Sequence, residues 1–266
     1  MNPITFWHQL SDEPPDAPDL AEDFHEASKC YRATIGRLIH SGRLDRDPDL
    51  AHATLQGSRD LSHLPSMPLP PIDADAERRA LPVLLREPSC RSFASRPLAE
   101  ALLGRVLWLS YGRYPQDPAA PFRRRPIAAG GALYALEVYV IAELRGRRGL
   151  HHYNVGHHAL EQLRPTVTDA ELRDLAAEPD LVAPAPVILL ITGLFNRSRC
   201  KYGLRGYRFV LLEAGALIHQ VQLVTQALGL RSVAVAGLYD DAVEHLCDLD
   251  GVDESFINAV LLGHPP

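Results

Sequence analysis

The chain has 266 residues, of which 46% are hydrophobic, enough for one large domain with a substantial core. Its formal net charge of -6 and its pI near 6.0 argue against a general nucleic-acid-binding protein. Its four cysteines are far apart, without a CxxC spacing or adjacent histidine ligands, so no metal site is predicted.

The first residues, Asn2 to His8, have neither the basic start nor the apolar run of a signal peptide. No apolar stretch is long enough to span a bilayer. We therefore expect a cytoplasmic protein with reduced thiols and no membrane partner.

The N-terminal part of the chain is predicted to be an extension. After a proline-rich, acidic lead-in at residues 12–19, apolar residues recur every three or four positions over residues 20–39, which predicts a helix. Its apolar stripe must be covered by the domain or by a second subunit.

A proline-rich segment follows at residues 64–71 and cannot form a helix, because proline lacks the backbone donor and restricts the residue before it. We interpret it as an extended strap. Residues 1–74 are thus predicted to be a helical extension with a proline-rich strap, and residues 75–266 the main domain.

The main domain mixes helical and strand patterns. Helices are predicted over residues 75–86, 97–111, 157–163, 168–177, 207–228 and 240–247. Strands are predicted over residues 137–144, 150–155, 187–193, 232–236 and 257–262. Residues 187–193 are apolar almost throughout, which is typical of a central strand buried on both faces. The mixture predicts an α+β domain with helices packed about one sheet.

Lys201 and Tyr202 stand side by side after this central strand, and we predict that they lie in a loop. An ammonium group favours the phenolate form of a neighbouring tyrosine, so the pair can take a proton from a weakly acidic carbon. On the dipeptide alone, a turn with a packed tyrosine and an exposed lysine head is the simpler interpretation.

Two other segments are suited to a flat, phosphorylated ligand. Between Arg86 and Phe93, arginine forks and the Ser89 hydroxyl suit a phosphate monoester. Gly130 and Gly131 let the backbone come close to a flat ring. Either pattern alone is weak, since a helix-terminal turn explains paired glycines equally well.

Taken together, the chain resembles the SagB-type dehydrogenases, which are FMN-dependent oxidases of the nitroreductase superfamily. These enzymes oxidise thiazolines and oxazolines to azoles on ribosomally made peptides. The resemblance extends from about residue 86 to residue 263, with a weaker match at residues 24–29. It is carried by the sequences KYGLRGYR at 201–208, LLEAG at 211–215 and AVAGLYDD at 234–241.

The resemblance implies a nitroreductase-like fold, with a mixed or antiparallel central sheet flanked by helices. It also implies an intertwined homodimer in which both subunits hold each FMN. Lys201 and Tyr202 would be catalytic. The residues implied to bind FMN are Arg86, Ser89, Arg91, Arg125, Ala129, Gly130, Gly131, Gln220, Ala236 and Gly237. The implied partners are an azoline-bearing precursor peptide and a cyclodehydratase.

Two places depart from the family pattern. Glu87 stands where the family has the first arginine of Arg-x-Ser-x-Arg-x-Phe, and Arg86 lies one residue earlier. Ala128 and Ala129 replace a Pro-Ser pair whose serine lies against the flavin. Losing that hydrogen bond costs about 1 kcal/mol, so we expect weaker flavin binding.

Three functions remain open from the sequence. The first is an azoline dehydrogenase. The second is a general FMN-dependent nitro or ene reductase, or an oxidase of a small metabolite, which needs the flavin site but not Lys201 and Tyr202. The third is a flavin-poor scaffold subunit of a peptide-modifying complex, which the two departures favour and the intact Lys-Tyr pair disfavours.

Overall fold

The computed structural model describes residues 19–35, 46–49, 54, 63–114 and 124–266. It divides the chain into two compact units, residues 1–31 together with 86–266, and residues 32–85. The boundary predicted after residue 74 stays a prediction. The lead-in at residues 12–18 and the predicted helical residues 36–39 lie outside the described residues.

Eight α-helices occur among the described residues. They are α1 (Leu20–Ser28), α2 (Ala74–Ala80), α3 (Glu100–Tyr111), α4 (Asp169–Asp174), α5 (Pro179–Val182), α6 (Phe195–Tyr202), α7 (Arg205–Ala227) and α8 (Asp240–Cys247). A single 3-10 turn, Gly130–Ala132, precedes the first strand.

In the described part of the chain, six strands form one antiparallel sheet in the order β3-β2-β1-β4-β6-β5. They are β1 (Leu136–Leu144), β2 (Arg147–Asn154), β3 (Ala159–Arg164), β4 (Val187–Leu194), β5 (Arg231–Val235) and β6 (Glu254–Gly263). Strand β4 lies inside the sheet and is buried along all but its last residue, as predicted for residues 187–193. The α+β fold expected from the sequence is confirmed, and the sheet is antiparallel.

Hydrophobic layers cover both faces of the sheet. Leu189 and Ile191 of β4 point into a core shared with α3 and α7, whereas Ile188 and Leu190 point into a second core shared with α4, α5 and α8. Successive residues of a strand face opposite sides, so an apolar run is what a two-sided core requires.

The turn between β1 and β2 is shorter than the five residues, 145–149, that the predicted strand bounds leave between them. Only Arg145 and Gly146 form its turn, with φ of 51° and 76°. Positive φ at both central residues is the requirement of a type I′ turn, whose twist matches that of the paired strands. Strand β2 therefore begins at Arg147 rather than at Leu150.

The helix predicted over residues 157–163 is wrong, because this segment is mainly strand β3. Its composition favours a helix, but Leu160 and Glu161 pair with Tyr153 and His152 of β2. His158, with φ of 49°, closes the turn that brings the chain back to the sheet edge. Tertiary pairing here outweighs local propensity.

Three predicted helix boundaries are also wrong. Helix α2 ends at Ala80, because a residue preceding a proline, here Pro82, is disfavoured in the helical region. Helix α3 begins at Glu100, three residues after Pro97. Helix α1 ends at Ser28, since Lys29 has an extended backbone and its amine donates to the Gly251 carbonyl at 2.6 Å.

Candidate active site

Lys201 and Tyr202 are the last two residues of helix α6, so their predicted loop position is wrong. Helix α6 follows β4 without a linker, and the backbone N–H of Leu194 donates to the Ala135 carbonyl at 2.8 Å. The helix was missed because its sequence, FNRSRCKY, has no repeating apolar positions. Gly203 is its C-cap, and the chain then turns into α7.

The Lys-Tyr pair lies against the predicted glycine turn. Gly131 has φ of 61°, and a methyl group there would lie 2.5 Å from Tyr202 Oη and 2.9 Å from Lys201 Nζ. A methyl group at Gly130 would lie 3.2 Å from Phe209, whose ring meets the Tyr202 ring edge-on at 4.9 Å between centroids. The fold thus brings together four of the predicted site residues, from two distant parts of the sequence.

The glycine turn has an unusual backbone. Besides Gly131, Ala132 and Tyr134 also have positive φ, of 55° and 49°. Left-handed backbone costs on the order of 1 kcal/mol or more for a residue other than glycine, so other contacts must hold it. One of them is Arg197 of α6, whose Nη1 donates to the Tyr134 carbonyl at 2.8 Å.

Arg125 lies beside the same turn. Its guanidinium is 4.2 Å from the centre of the Tyr111 ring and 4.7 Å from that of Tyr134, and its backbone N–H donates to Tyr134 Oη at 3.0 Å. Its buried Nη1 has no hydrogen-bond partner among the described residues. A buried donor without a partner is costly, and a bound ligand can provide the acceptor.

Sequence reasoning missed a buried carboxylate behind this turn. Glu213 of α7 accepts hydrogen bonds from Tyr111 Oη at 2.9 Å and from the Ala135 N–H at 3.3 Å. Burial raises the pKa of Glu213, although these hydrogen bonds and the charge of Arg125 oppose the shift. A glutamate within the otherwise apolar sequence LLEAG is the one signal that could have identified it.

The predicted phosphate site is only partly assembled. Arg86 Nη2 donates to Ser89 Oγ at 2.6 Å, so these two residues are together. Arg91 instead forms an ion pair with Glu178, and both side chains are exposed. An exposed pair contributes little free energy, so a phosphate can compete for Arg91 at low cost.

The two halves of the predicted site lie at opposite ends of the sheet. Next to Ser89, the Cys90 N–H donates to the carbonyl of Ser232 in β5. Ser232 pairs with the end of β6, which in turn pairs with the start of β4 at Val187, so this half lies at the sheet end where β4 begins. Lys201 and Gly131 instead adjoin the other end of β4, at Leu194. Seven residue steps separate the two ends of β4, a distance of about 23 Å.

The other residues predicted to bind FMN occupy separate positions. Ala129 has an extended backbone and immediately precedes the glycine turn. Gln220 of α7 donates to the Leu109 carbonyl at 3.1 Å. Ala236 and Gly237 follow β5, and the Gly237 carbonyl accepts from the Ala177 N–H at 2.9 Å.

Each half of the predicted site fits one part of FMN. The turn presents bare backbone to the Lys-Tyr pair, Arg125 offers a buried donor, and Arg86 with Ser89 offers a cation and a hydroxyl for a phosphate. Within the part of the chain that the structure describes, no cluster of His, Cys, Asp and Glu is arranged for a metal ion. Nor does any described helix combine the length and apolarity needed to cross a membrane.

Comparison with known proteins agrees with this picture. Residues 87–264 match the Nitroreductase family. A protein of Methanocaldococcus jannaschii named as a nitroreductase, MJ1384, is 31% identical over 166 residues, which cover 62% of this chain and 81% of that protein. The microcin B17-processing protein McbC of Escherichia coli is 29% identical over 134 residues, which are 48% of this chain and only 49% of McbC.

The fold also matches a solved assembly. The E. coli microcin synthetase McbBCD complex with truncated pro-MccB17 bound contains a chain that superposes with a TM-score of 0.76. At 21% identity, the match covers 99% of this chain and 97% of that one. By its family match over residues 87–264, this chain belongs to the nitroreductase family of oxidoreductases, and its similarity to McbC agrees with the SagB-type resemblance.

Proposed function

We propose that the protein is an FMN-dependent dehydrogenase that oxidises thiazoline or oxazoline rings to azoles on a ribosomally made peptide. The convergence of Lys201 and Tyr202 on Gly131 is the observation that carries the proposal. This contact places the residues suited to proton transfer beside the backbone suited to a flat ring. A general reductase needs only the backbone that binds the ring.

The chain's own residues would hold the ring system and move one proton. Gly130, Gly131 and Arg125 of one chain would bind the flavin ring, while Arg86, Ser89 and Arg91 of a second copy would bind the phosphate. FMN, when bound, supplies a two-electron acceptor. Tyr202 Oη would accept the azoline proton alpha to the carbonyl, and the Lys201 ammonium would favour the phenolate.

The relatives support a peptide substrate. McbC is named for the processing of microcin B17, and the matching assembly contains truncated pro-MccB17. By analogy, we propose that this chain acts on a precursor peptide together with a cyclodehydratase. The aligned region spans about half of McbC, so this analogy reaches the shared domain and not the whole of that protein.

The first experiment mixes the purified protein, reconstituted with FMN, with a thiazoline-bearing peptide under anaerobic conditions. The flavin absorbance is expected to bleach while the peptide loses two mass units. Because Ala128 and Ala129 replace the family's Pro-Ser pair, we expect FMN to be lost on dilution, so bound flavin is measured in each sample. A protein that neither arrives yellow nor quenches the fluorescence of added FMN would instead support the scaffold function.

A second candidate is a general FMN-dependent reductase, favoured by the 31% identity to MJ1384. The same FMN-loaded sample is tested with a nicotinamide donor and a nitroaromatic acceptor. Rapid turnover in this assay, without bleaching by the thiazoline peptide, would overturn the azoline proposal in favour of this one.

A further inference from the structure

Helix α1 attaches directly to the helix that ends in the proposed catalytic pair. Asp19 is the N-cap of α1 and forms an ion pair with Arg199 of α6, two residues before Lys201. Both side chains are largely buried. Burial opposes the ionisation of Asp19, but its hydrogen bonds and the charge of Arg199 outweigh burial and lower its pKa.

His25 of α1 makes a second attachment, at the other end of α6. Its ring packs on Phe195, the first residue of α6, with centroids 4.9 Å apart. Its Nδ1 lies 3.2 Å from Tyr207 Oη of α7, and its Nε2 lies 2.7 Å from Ser255 Oγ of β6. One imidazole thus joins α6, α7 and β6.

The hydrogen bonds determine the state of this imidazole. Ser255 Oγ donates its only hydrogen to the Glu244 carboxylate, so it must accept from the His25 Nε2–H. Nδ1 is then the acceptor for the Tyr207 hydroxyl. Burial, aided by the nearby charge of Lys29, lowers the pKa of His25 to about 4, which keeps the ring neutral.

Beyond His25, α1 is fastened to the segment that precedes β6. Lys29 Nζ donates to the Gly251 carbonyl at 2.6 Å and lies 3.3 Å from Glu244, the carboxylate bound by Ser255. No residue of α1 is fully buried, and Phe24 is mostly exposed although its ring meets the edge of Tyr207. Specific polar contacts, rather than a large apolar interface, therefore fix the place of this helix.

The corner between α6 and α7 is held on its other side by the glycine turn. A methyl group at Gly206 would lie 2.8 Å from the Arg199 backbone, so the two helices touch there. Tyr202 and Lys201 project from this corner onto Gly131. A shift of α6 relative to the sheet would change the distance from Tyr202 Oη to Gly131, and a displacement of about 1 Å can cost up to 10²-fold in rate.

We propose that α1 is a positioning element for the Lys201–Tyr202 pair, with Asp19 and His25 as its positioning residues. This inference rests on the proposed function and deepens it. It assigns a catalytic purpose to the N-terminal helix, which lies outside residues 87–264 that match the family.

The test uses substitutions that separate positioning from helix stability. Asp19→Ser keeps an N-cap oxygen for α1 but removes the ion pair with Arg199. Asp73→Ser is the matched control, because Asp73 caps α2 through the same pattern of two backbone hydrogen bonds. His25→Leu removes both ring hydrogen bonds, whereas His25→Gln keeps a donor and an acceptor.

Two readouts are taken on the full-length, FMN-loaded protein. The first is the rate constant and the KM for flavin reduction by a thiazoline-bearing peptide. The second is hydrogen–deuterium exchange of peptides covering residues 195–204. For Asp19→Ser and His25→Leu we expect a rate constant about ten- to a hundredfold lower, a KM changed by no more than about twofold, and faster exchange in this segment. His25→Gln is expected to recover most of the rate, and Asp73→Ser to behave as wild type.

Faster exchange with a wild-type rate would overturn the inference, because α1 would then stabilise α6 without positioning the pair. Wild-type exchange in both α1 variants would overturn it equally. If the wild-type protein does not react with azoline peptides, the proposed function fails by itself. The exchange of residues 195–204 then still decides whether α1 holds the end of α6, and unchanged exchange rejects it.

Discussion

At Gly131 the backbone comes close to the proposed catalytic pair. Two separate reasons favour glycine at this position. Its φ is 61°, and an added methyl group would lie 2.5 Å from Tyr202 Oη. The first concerns backbone conformation and the second concerns space. Only the first reason applies at Gly146, because its φ is 76° and nothing lies within 4 Å of the place a methyl group would take.

We predict that Gly131→Ala slows flavin reduction by an azoline peptide about 10²-fold or more, because the methyl group displaces Tyr202 and Lys201. Both variants should lose stability on the order of 1 kcal/mol, because alanine is strained at positive φ. Gly146→Ala, however, should keep its activity. Stopped-flow reduction and urea unfolding of both variants check this. Equal activity in the two variants would show that the contact with Gly131 has no catalytic importance.

The Lys-Tyr pair gives the second prediction at this scale. Tyr202→Phe should keep the fold and FMN but lower the rate of azoline oxidation about 10²–10⁴-fold, because the ring proton loses its acceptor. Lys201→Ala should also be slow, and the double variant little slower than the slower single one, since residues that act as a unit are not additive.

Bound FMN is counted in each of these variants, and all should be reduced by dithionite at the wild-type rate. A Tyr202→Phe protein that oxidises the peptide as fast as wild type would remove the proton-transfer role. The general reductase would then be the better function.

Sequence patterns predicted the residues that form this site better than the residues that hold them in place. Lys201, Tyr202, Gly130 and Gly131 were predicted from motifs, and they do lie together. Glu213 was not predicted as a site residue, although it lies in the LLEAG motif, because its partners Tyr111 and Ala135 are far away in the sequence. Such residues act through contacts between distant segments, and a single sequence does not display those contacts.

At the scale of elements, α6 is attached to the sheet by charges. Arg197 Nη2 lies 3.0 Å from Glu137 of β1, and Glu137 also contacts His152 of β2 at 3.0 Å. His152 in turn lies 3.0 Å from Glu161 of β3. The hydrogen bond to Glu137, supported by Glu161, raises the pKa of His152 to about 9 against the opposing effect of burial.

This network predicts a loss of stability at alkaline pH. His152 holds its proton more tightly in the folded than in the unfolded protein, so its stabilisation is complete below the ordinary pKa of 6.5 and is lost as the pH rises through about 9. For this partly exposed group we expect a contribution on the order of 1–2 kcal/mol. His152→Gln should lack this pH dependence between pH 7 and 10.

The measurement is urea unfolding at pH 6.5, 8 and 10. His245→Gln, an exposed histidine on α8, is the matched control and should follow the wild-type curve. A wild-type free energy of unfolding that does not fall more steeply than that of His152→Gln would contradict the role of His152.

Elements with a clear hydrophobic pattern, whether periodic or a continuous apolar run, were predicted well. Elements without such a pattern were not. The apolar run of β4 and the boundaries of α8 follow from the sequence. Strand β3 consists of helix-favouring residues and exists only because β2 offers it an edge. Helix α6 consists of polar residues and is held by its contacts with Glu137 and the Tyr134 carbonyl.

For the whole molecule, the separation between the two halves of the predicted FMN site is the central fact. Arg86 and Ser89 lie near the start of β5, at the sheet end where β4 begins, whereas Lys201 and Gly131 adjoin the opposite end of β4, about 23 Å along that strand. A single FMN that contacts both sets requires a second chain. We therefore propose a homodimer in which each site takes its phosphate contacts from one chain and its Lys-Tyr pair from the other.

Helix α7 offers the surface for this association. The buried residues of this helix lie on one of its sides, among them Val210, Ala214, Leu217 and Val221. The other side exposes Leu211 and Leu212, and next to them Gly215 has open space where a side chain would stand. Exposed leucines beside a bare glycine form a flat apolar patch suited to close packing against another helix.

The last prediction tests association and site completeness together. Leu212, 70% exposed on α7, is replaced by Glu, and Leu163, 39% exposed on β3, is replaced by Glu as the control. Wild type and Leu163→Glu should be dimers of the 29.4 kDa chain in light scattering. Leu212→Glu should dissociate, because a charge in an apolar interface loses its hydration. It should also lose FMN in parallel, because no single chain then holds both the phosphate and the ring.

A Leu212→Glu monomer that keeps FMN and oxidises azoline peptides would show that one chain contains a complete site. A wild-type protein that is monomeric at all concentrations would reject the dimer itself.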